Sequence, residues 1–125
     1  MDPIPTIVTD YLAAYNARDV AGMVRCLSDD VHFVNMSGGA VSAETNGIDA
    51  FTALAHQGVA VFAQRTQTVT NCIACDGHVT LRIDYRAMVA VDLPNGWKAG
   101  QGIRLDGVSV FTLRNGTITE LVDIS

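Results

Sequence analysis

A chain of 125 residues that is 49% hydrophobic and only 17% charged has the size of one domain, 1–125, with enough apolar mass for a core. Its net charge of −5, without any Lys/Arg run, excludes a nucleic-acid binder, which needs a basic stripe to neutralise phosphates. No stretch is apolar for long enough to cross a bilayer, and residues 1–5 show no basic-then-apolar leader, so the expected place is the cytosol.

In chain order, Ile4, Ile7, Val8, Tyr11, Leu12 and Tyr15 recur at helical spacing, with Pro5 or Thr6 as the start. A short second helix follows, capped by Asp19, with Val20, Met23, Val24 and Leu27 as its apolar stripe. SDDVHFVNM then reads as a turn and a strand, which Gly38 and Gly39 break. Residues from Asn46 to Ala63 read as a third helix. The remainder is strand-rich. TQTVTNCIAC is a strand, Asp76-Gly77 a turn, and a long strand runs from His78 to Leu93. LPNGWKAG is a hairpin around Asn95-Gly96. A second long strand covers Gly100 to Leu113, Asn115-Gly116 turns the chain, and TITELVDIS closes it. Three helices with one strand among them, then four strands as a meander, predict an α+β cone. Its curved antiparallel sheet carries the three N-terminal helices on its concave face. Such a cone can hold a small apolar molecule at its mouth. Low charge and a long sheet with an apolar face also predict a homodimer through the sheet.

Cys26, Cys72 and Cys75 make an odd count, and Cys72 and Cys75 lie within one predicted strand. No second cluster supplies the further ligands a zinc ion needs, so no metal is expected. His32 should face outward, because Phe33 and Asn35 take the other face of its strand.

The stretch RIDYRA, residues 82–87, poses the sharpest question. Thr80, Arg82, Asp84, Arg86 and Met88 share one strand face, and Val79, Leu81, Ile83, Tyr85 and Ala87 share the other. Simple alternation puts the charged set in water. A sheet that dimerises on its apolar face would instead leave the charged set inside the cone.

The order of elements, with the phrase DYLAAYNARDVAGMVRCLSDDVHFVNM, resembles the nuclear-transport-factor-2-like (SnoaL-like, ketosteroid-isomerase-like) superfamily. The resemblance implies the cone fold and a cofactor-independent chemistry or plain binding in its cavity. Against ketosteroid isomerase, the oxyanion tyrosine falls at Tyr11, the general base at Asn35 and the second oxyanion acid near Ser109. An amide cannot take a proton from carbon, so the match keeps one residue of three. Limonene-epoxide hydrolase matches more. Arg82 and Asp84 stand for its Arg-x-Asp, Asp123 for its second Asp, and Asn35 for its water-holding Asn, while Phe33 replaces a water-holding Tyr. This resemblance implies Asp123 as base, Asn35 as water holder, Asp84 as acid and Arg82 as the bridge between the carboxylates. Tyr11, Tyr15, Phe33, Ile103, Ser109 and Phe111 are the expected pocket residues, on alternate strand positions under an amphipathic helix. The alternative readings are a polyketide-cyclase-like or isomerase-like enzyme, in which an Asp of the cone takes a proton next to a carbonyl, and a non-catalytic binding protein.

Overall fold

The computed structural model describes all 125 residues. Its elements run α1 (Thr6–Asn16), α2 (Val20–Arg25), β1 (Leu27–Ser37), β2 (Ala40–Asn46), α3 (Ile48–Val61), β3 (Phe62–Cys75), β4 (His78–Val89), β5 (Gly102–Arg114) and β6 (Thr117–Ile124). The expected α+β architecture forms, with three helices and one curved sheet. Asp19 caps α2 as expected, accepting from the Gly22 amide at 3.0 Å. None of the helices is long and apolar enough to cross a membrane.

Several expectations need correction. The sheet has six strands in the order β2-β1-β6-β5-β4-β3, and it is mixed, because β1 lies parallel to β6. The extra strand is β2. Gly38 and Gly39, at φ of 59° and 82°, do not end the sheet but turn a hairpin that pairs β2 antiparallel to β1. The third helix starts only at Ile48, after this strand. Between β4 and β5 the chain leaves the sheet for residues 90–101, so Asn95-Gly96 turns a loop rather than a tight hairpin. The Trp97 carbonyl holds that loop by accepting from the Leu93 amide at 2.8 Å.

α1 and α3 pack against one face of the sheet, and α2 packs against those two helices. Val8, Tyr11 and Leu12 of α1 and Phe51 and Ala55 of α3 join one core with Val31, Leu81, Phe111, Ile118 and Leu121 of the sheet. Phe111 is fully buried and meets the edge of Tyr11, with ring centroids 5.9 Å apart. Arg18, itself at φ 59°, donates to the Val59 and Ala63 carbonyls at the end of α3. His32 faces outward as read, between Glu120 at 2.9 Å and Glu44 at 2.6 Å. Those two carboxylates raise its pKa.

Register decides which residues share the cone. Asn35 pairs with Asp123, Asp123 with Ser109, Ser109 with Leu81, and Leu81 with Cys72. Residues directly opposite each other lie on one face of a sheet. This row therefore carries Asn35, Asp123 and Ser109 on the same face as the buried Leu81, the face beneath the helices.

Candidate active site

The cone holds a cavity of two lobes. One, of about 340 Å³, lies against β4 and β5 and is bounded by Ile83, Tyr85, Leu105, Ser109 and Trp97. The other, of about 370 Å³, lies beneath α3, against Tyr11, Phe33, Phe51, Leu54 and Arg65. Tyr15, Asn35, Phe62 and Asp123 line both lobes and so stand at their junction. Either lobe has the size of a small-molecule site. Trp97, on the β4–β5 loop, lies 6.4 Å from the ring of Phe62 and forms one wall.

Asp123 is the one acidic residue that lines this space. It is half-buried, and Ser109 donates its hydroxyl to the carboxylate at 2.7 Å. Burial pushes its pKa from 3.8 up to about 6, against the lowering effect of the Ser109 hydrogen bond. A carboxylate tuned to this range can take a proton at neutral pH and give it back. Asn35 stands beside it on β1, its amide donating to Ser42 at 2.6 Å and to Ser37 at 3.3 Å.

Three tyrosines complete the polar part. Tyr11 is buried, and its hydroxyl has no hydrogen-bond partner within the protein. Burial, then the charge of Asp123, raise its pKa well above the usual phenol value. Tyr11 therefore stays protonated and is free to donate into the cavity. Tyr15 donates to the hydroxyl of Tyr85 at 3.2 Å. Burial raises both of these phenols as well.

The structure divides the residues picked out from the sequence. Asp123, Asn35, Tyr11, Tyr15, Phe33 and Ser109 line the cavity. Phe111 does not line it: the ring is sealed in the core behind Tyr11. Ile103, half-buried opposite Ala87, lies outside both lobes.

Arg82 and Asp84 overturn the expected bridge. Arg82 is exposed and makes no ion pair, and Asp84 stands on the same outer face. Asp84 pairs with Arg86 at 3.5 Å and with Arg104 at 3.3 Å, and its contact with Arg104 is out of line for a hydrogen bond. These are surface pairs of small energetic weight. The physical reason is the burial of Val79, Leu81, Ile83, Ala87 and Val89, the apolar set of β4, beneath the helices. One strand cannot turn both sets inward, so the charged set goes to water, and no arginine bridges an acid to Asp123.

Sequence reasoning missed Arg65. This β3 residue is 5% exposed, although it lies in the polar run QRTQT. Its Nε donates to the Tyr15 carbonyl at 3.1 Å, and its guanidinium lies 3.7 Å from the centre of the Tyr15 ring. No local signal marks it: its partners are the ring and the carbonyl of Tyr15, a carbonyl that also accepts from the Arg18 amide at 3.0 Å. Cys72 is buried and Cys75 exposed, on opposite faces of β3, so the two thiols cannot converge on one ion.

Solved structures share this fold. A protein with a ketosteroid-isomerase-like fold from Catenulispora acidiphila DSM 44928, in complex with trimethylamine, superposes with a TM-score of 0.80 at 19% identity, covering 97% of this chain and 85% of that one. A candidate polyketide cyclase from Xanthomonas campestris pv. campestris gives 0.79 at 22% identity, over 96% and 87% of the two chains. TerC, co-crystallised with polyporic acid, gives 0.75 at 18% identity, over 95% and 88%. At these identities the likeness is one of fold. No curated protein matches the chain. In sequence, residues 8–121 match the SnoaL-like domain, nearly the whole length. The chain thus belongs to the SnoaL-like domain family, and its six-stranded mixed sheet under three helices is that family's nuclear-transport-factor-2-like fold.

Proposed function

We propose that the chain is a cofactor-independent acid–base enzyme of the cyclase or isomerase kind, acting on a small, largely apolar carbonyl compound. The observation that supports this reading is Asp123. It is a lone carboxylate with a pKa near 6, held by Ser109 at the junction of two apolar lobes. In the proposed step, Asp123 takes a proton from a carbon next to the substrate carbonyl. The C–H pair moves into an enolate, and Tyr11 donates a hydrogen bond to the forming oxyanion. Asn35 orients a polar group of the substrate. The proton then returns from Asp123 to another carbon, which isomerises the substrate, or the enolate carbon attacks a second carbonyl and Asp123 gives the proton to the alkoxide so formed, which closes a ring. The likeness to a candidate polyketide cyclase accords with this choice.

The test is proton exchange. A panel of cyclic monoketones in heavy water is followed by NMR with wild type and with Asp123→Asn. Wild type should accelerate exchange at the carbon next to the carbonyl, with a rate that rises with pH through about 6, where Asp123 ionises. The amide should lower that rate by about 10²–10⁴-fold, the usual worth of a general base. Equal rates in the two proteins on every member would refute the assignment.

The assembly proposed is a homodimer through the outer face of the sheet. Val34, Val122, Val110, Thr80 and Ile73 form a continuous cross-strand row there, and Ile73 and Ile124 are 62% and 40% exposed. Light scattering should return twice the 13.3 kDa chain mass, and Val110→Glu should return the single mass. A monomer from wild type at micromolar concentration would exclude this assembly.

A further inference from the structure

Arg65 presents a charge that the protein itself leaves unanswered. Arg65 is only 5% exposed, and no carboxylate lies within ion-pair distance of it. A buried charge without a partner costs several kcal/mol, so proteins rarely keep one without a use. A purely structural role accounts for part of the side chain. Nε holds the last turn of α1 through the Tyr15 carbonyl, Nη2 touches the Met23 sulfur at 3.7 Å, and the plane stacks on Tyr15. That role leaves Nη1 unexplained. Nη1 makes no hydrogen bond, yet it is not among the atoms sealed from solvent without one, which are Ser28 Oγ, Thr45 Oγ1 and Asp84 Oδ1. Arg65 lines the lobe beneath α3, as does Gly58, the residue of that helix that lies over Nη1.

The helix above is shaped to this end of the side chain. Gly58 is the one glycine inside α3, a position where glycine costs about 1 kcal/mol relative to alanine. A Cβ at that position would stand 3.3 Å from Nη1. Glycine leaves the guanidinium tip room beneath the helix, in a lobe whose lining is mostly apolar and aromatic.

We propose that this lobe binds the anionic group of its ligand, a carboxylate or an ionised enol on an aromatic or alicyclic ring, through the free Nη1 edge of Arg65. The proposal deepens the acid–base reading by naming the substrate class, and rests on it only in taking the cavity as the ligand site. Arg65 and Asp123 line the same lobe. A substrate anchored by its anion on Arg65 lays its ring along Phe33, Phe51 and Leu54 and brings a ring carbon toward Asp123. Tyr15 fixes the guanidinium plane, so the site is formed before the ligand arrives.

The test compares neutral and charged probes of one shape. Naphthoate and naphthamide, with a set of ring carboxylates and their amides, are titrated calorimetrically into the full chain at neutral pH. Wild type should bind the carboxylates at least tenfold more tightly than the amides. Arg65→Gln should lose that preference while keeping its affinity for the amides. Equal affinity, a preference for amides, no carboxylate binding at millimolar concentration, or an undiminished preference in Arg65→Gln each overturns the proposal. Should Arg65→Gln fail to melt cooperatively, the side-chain N–H resonances of Arg65 in the wild-type chain decide. They should shift on titration with carboxylate and hold still with amide, and unmoved resonances overturn it. These readouts involve no turnover. A carboxylate preference without proton exchange refutes the acid–base reading alone, and proton exchange without the preference refutes this one alone.

Discussion

Asp123→Asn should make the protein more stable at neutral pH, by up to about 3 kcal/mol, while removing its chemistry. The folded carboxyl titrates near 6 and the unfolded one near 3.8. Two pKa units correspond to about 3 kcal/mol. Between those pH values the folded state binds more protons than the unfolded state, so stability falls as pH rises through this window. Above about pH 6 the whole cost of the ionised, desolvated group is present, and below about pH 4 it is gone. The amide can still accept the Ser109 hydrogen bond and carries no charge at any pH. The gap between variant and wild type should therefore be largest near pH 7.5 and close toward zero at pH 3.5. Urea melts at a series of pH values measure it. A gap of the same size at every pH would show that Asp123 is not desolvated in the folded state. A group whose removal both stabilises and inactivates is one kept for work rather than for folding.

Phe111→Ala should cost about 3–5 kcal/mol, the usual range for emptying a well-packed aromatic site. Phe111 is fully buried, sits opposite Val79 and Leu121 in the sheet, and supports the edge of Tyr11. Backbone on both sides is held by strand pairing, so the hole cannot close by collapse. Denaturant midpoints at constant m-value give the figure, with Arg82→Ala as the comparison arm. Arg82 is exposed and unpaired, so its truncation should stay within about 0.5 kcal/mol of wild type. A loss under about 1 kcal/mol for Phe111→Ala would mean that the core repacks around the missing ring.

The two faces of β4 show what a sequence can reveal about this fold. Alternation alone turned Arg82, Asp84 and Arg86 outward, and the structure agrees. The likeness to an Arg-x-Asp motif turned them inward, against the apolar mass of Leu81, Ile83 and Val89, which only the cone could bury. The three helices, the Asp19 cap and the turns at Asp76-Gly77 and Asn115-Gly116 were legible because each depends on its near neighbours. β2 was not. AVSAETN offers one large apolar residue, Val41, which is 57% exposed, so an edge strand there leaves no periodic trace. Arg65 escaped for a different reason. Its burial depends on the ring of Tyr15, 50 positions earlier, and nothing in QRTQT marks which polar residue goes inside. Asp123 and Asn35 were legible as residue types, while their meeting depends on a parallel pairing that no local pattern encodes.

That parallel pairing joins the two strands of the sheet that stand furthest apart in sequence among its paired neighbours. β6 is the only sheet neighbour that β1 and β2 share with the rest, since the order runs β2-β1-β6-β5. The early hairpin and the late meander are two separate pieces until β6 docks between them. Asn35 comes from the first piece and Ser109 from the second, and Asp123 sits on the strand that stitches them. Contacts of such long separation carry a larger loop-closure entropy than the hairpins on either side of them. The carboxylate therefore gains its full setting only in the closed sheet, where strands from the two ends of the chain lie side by side.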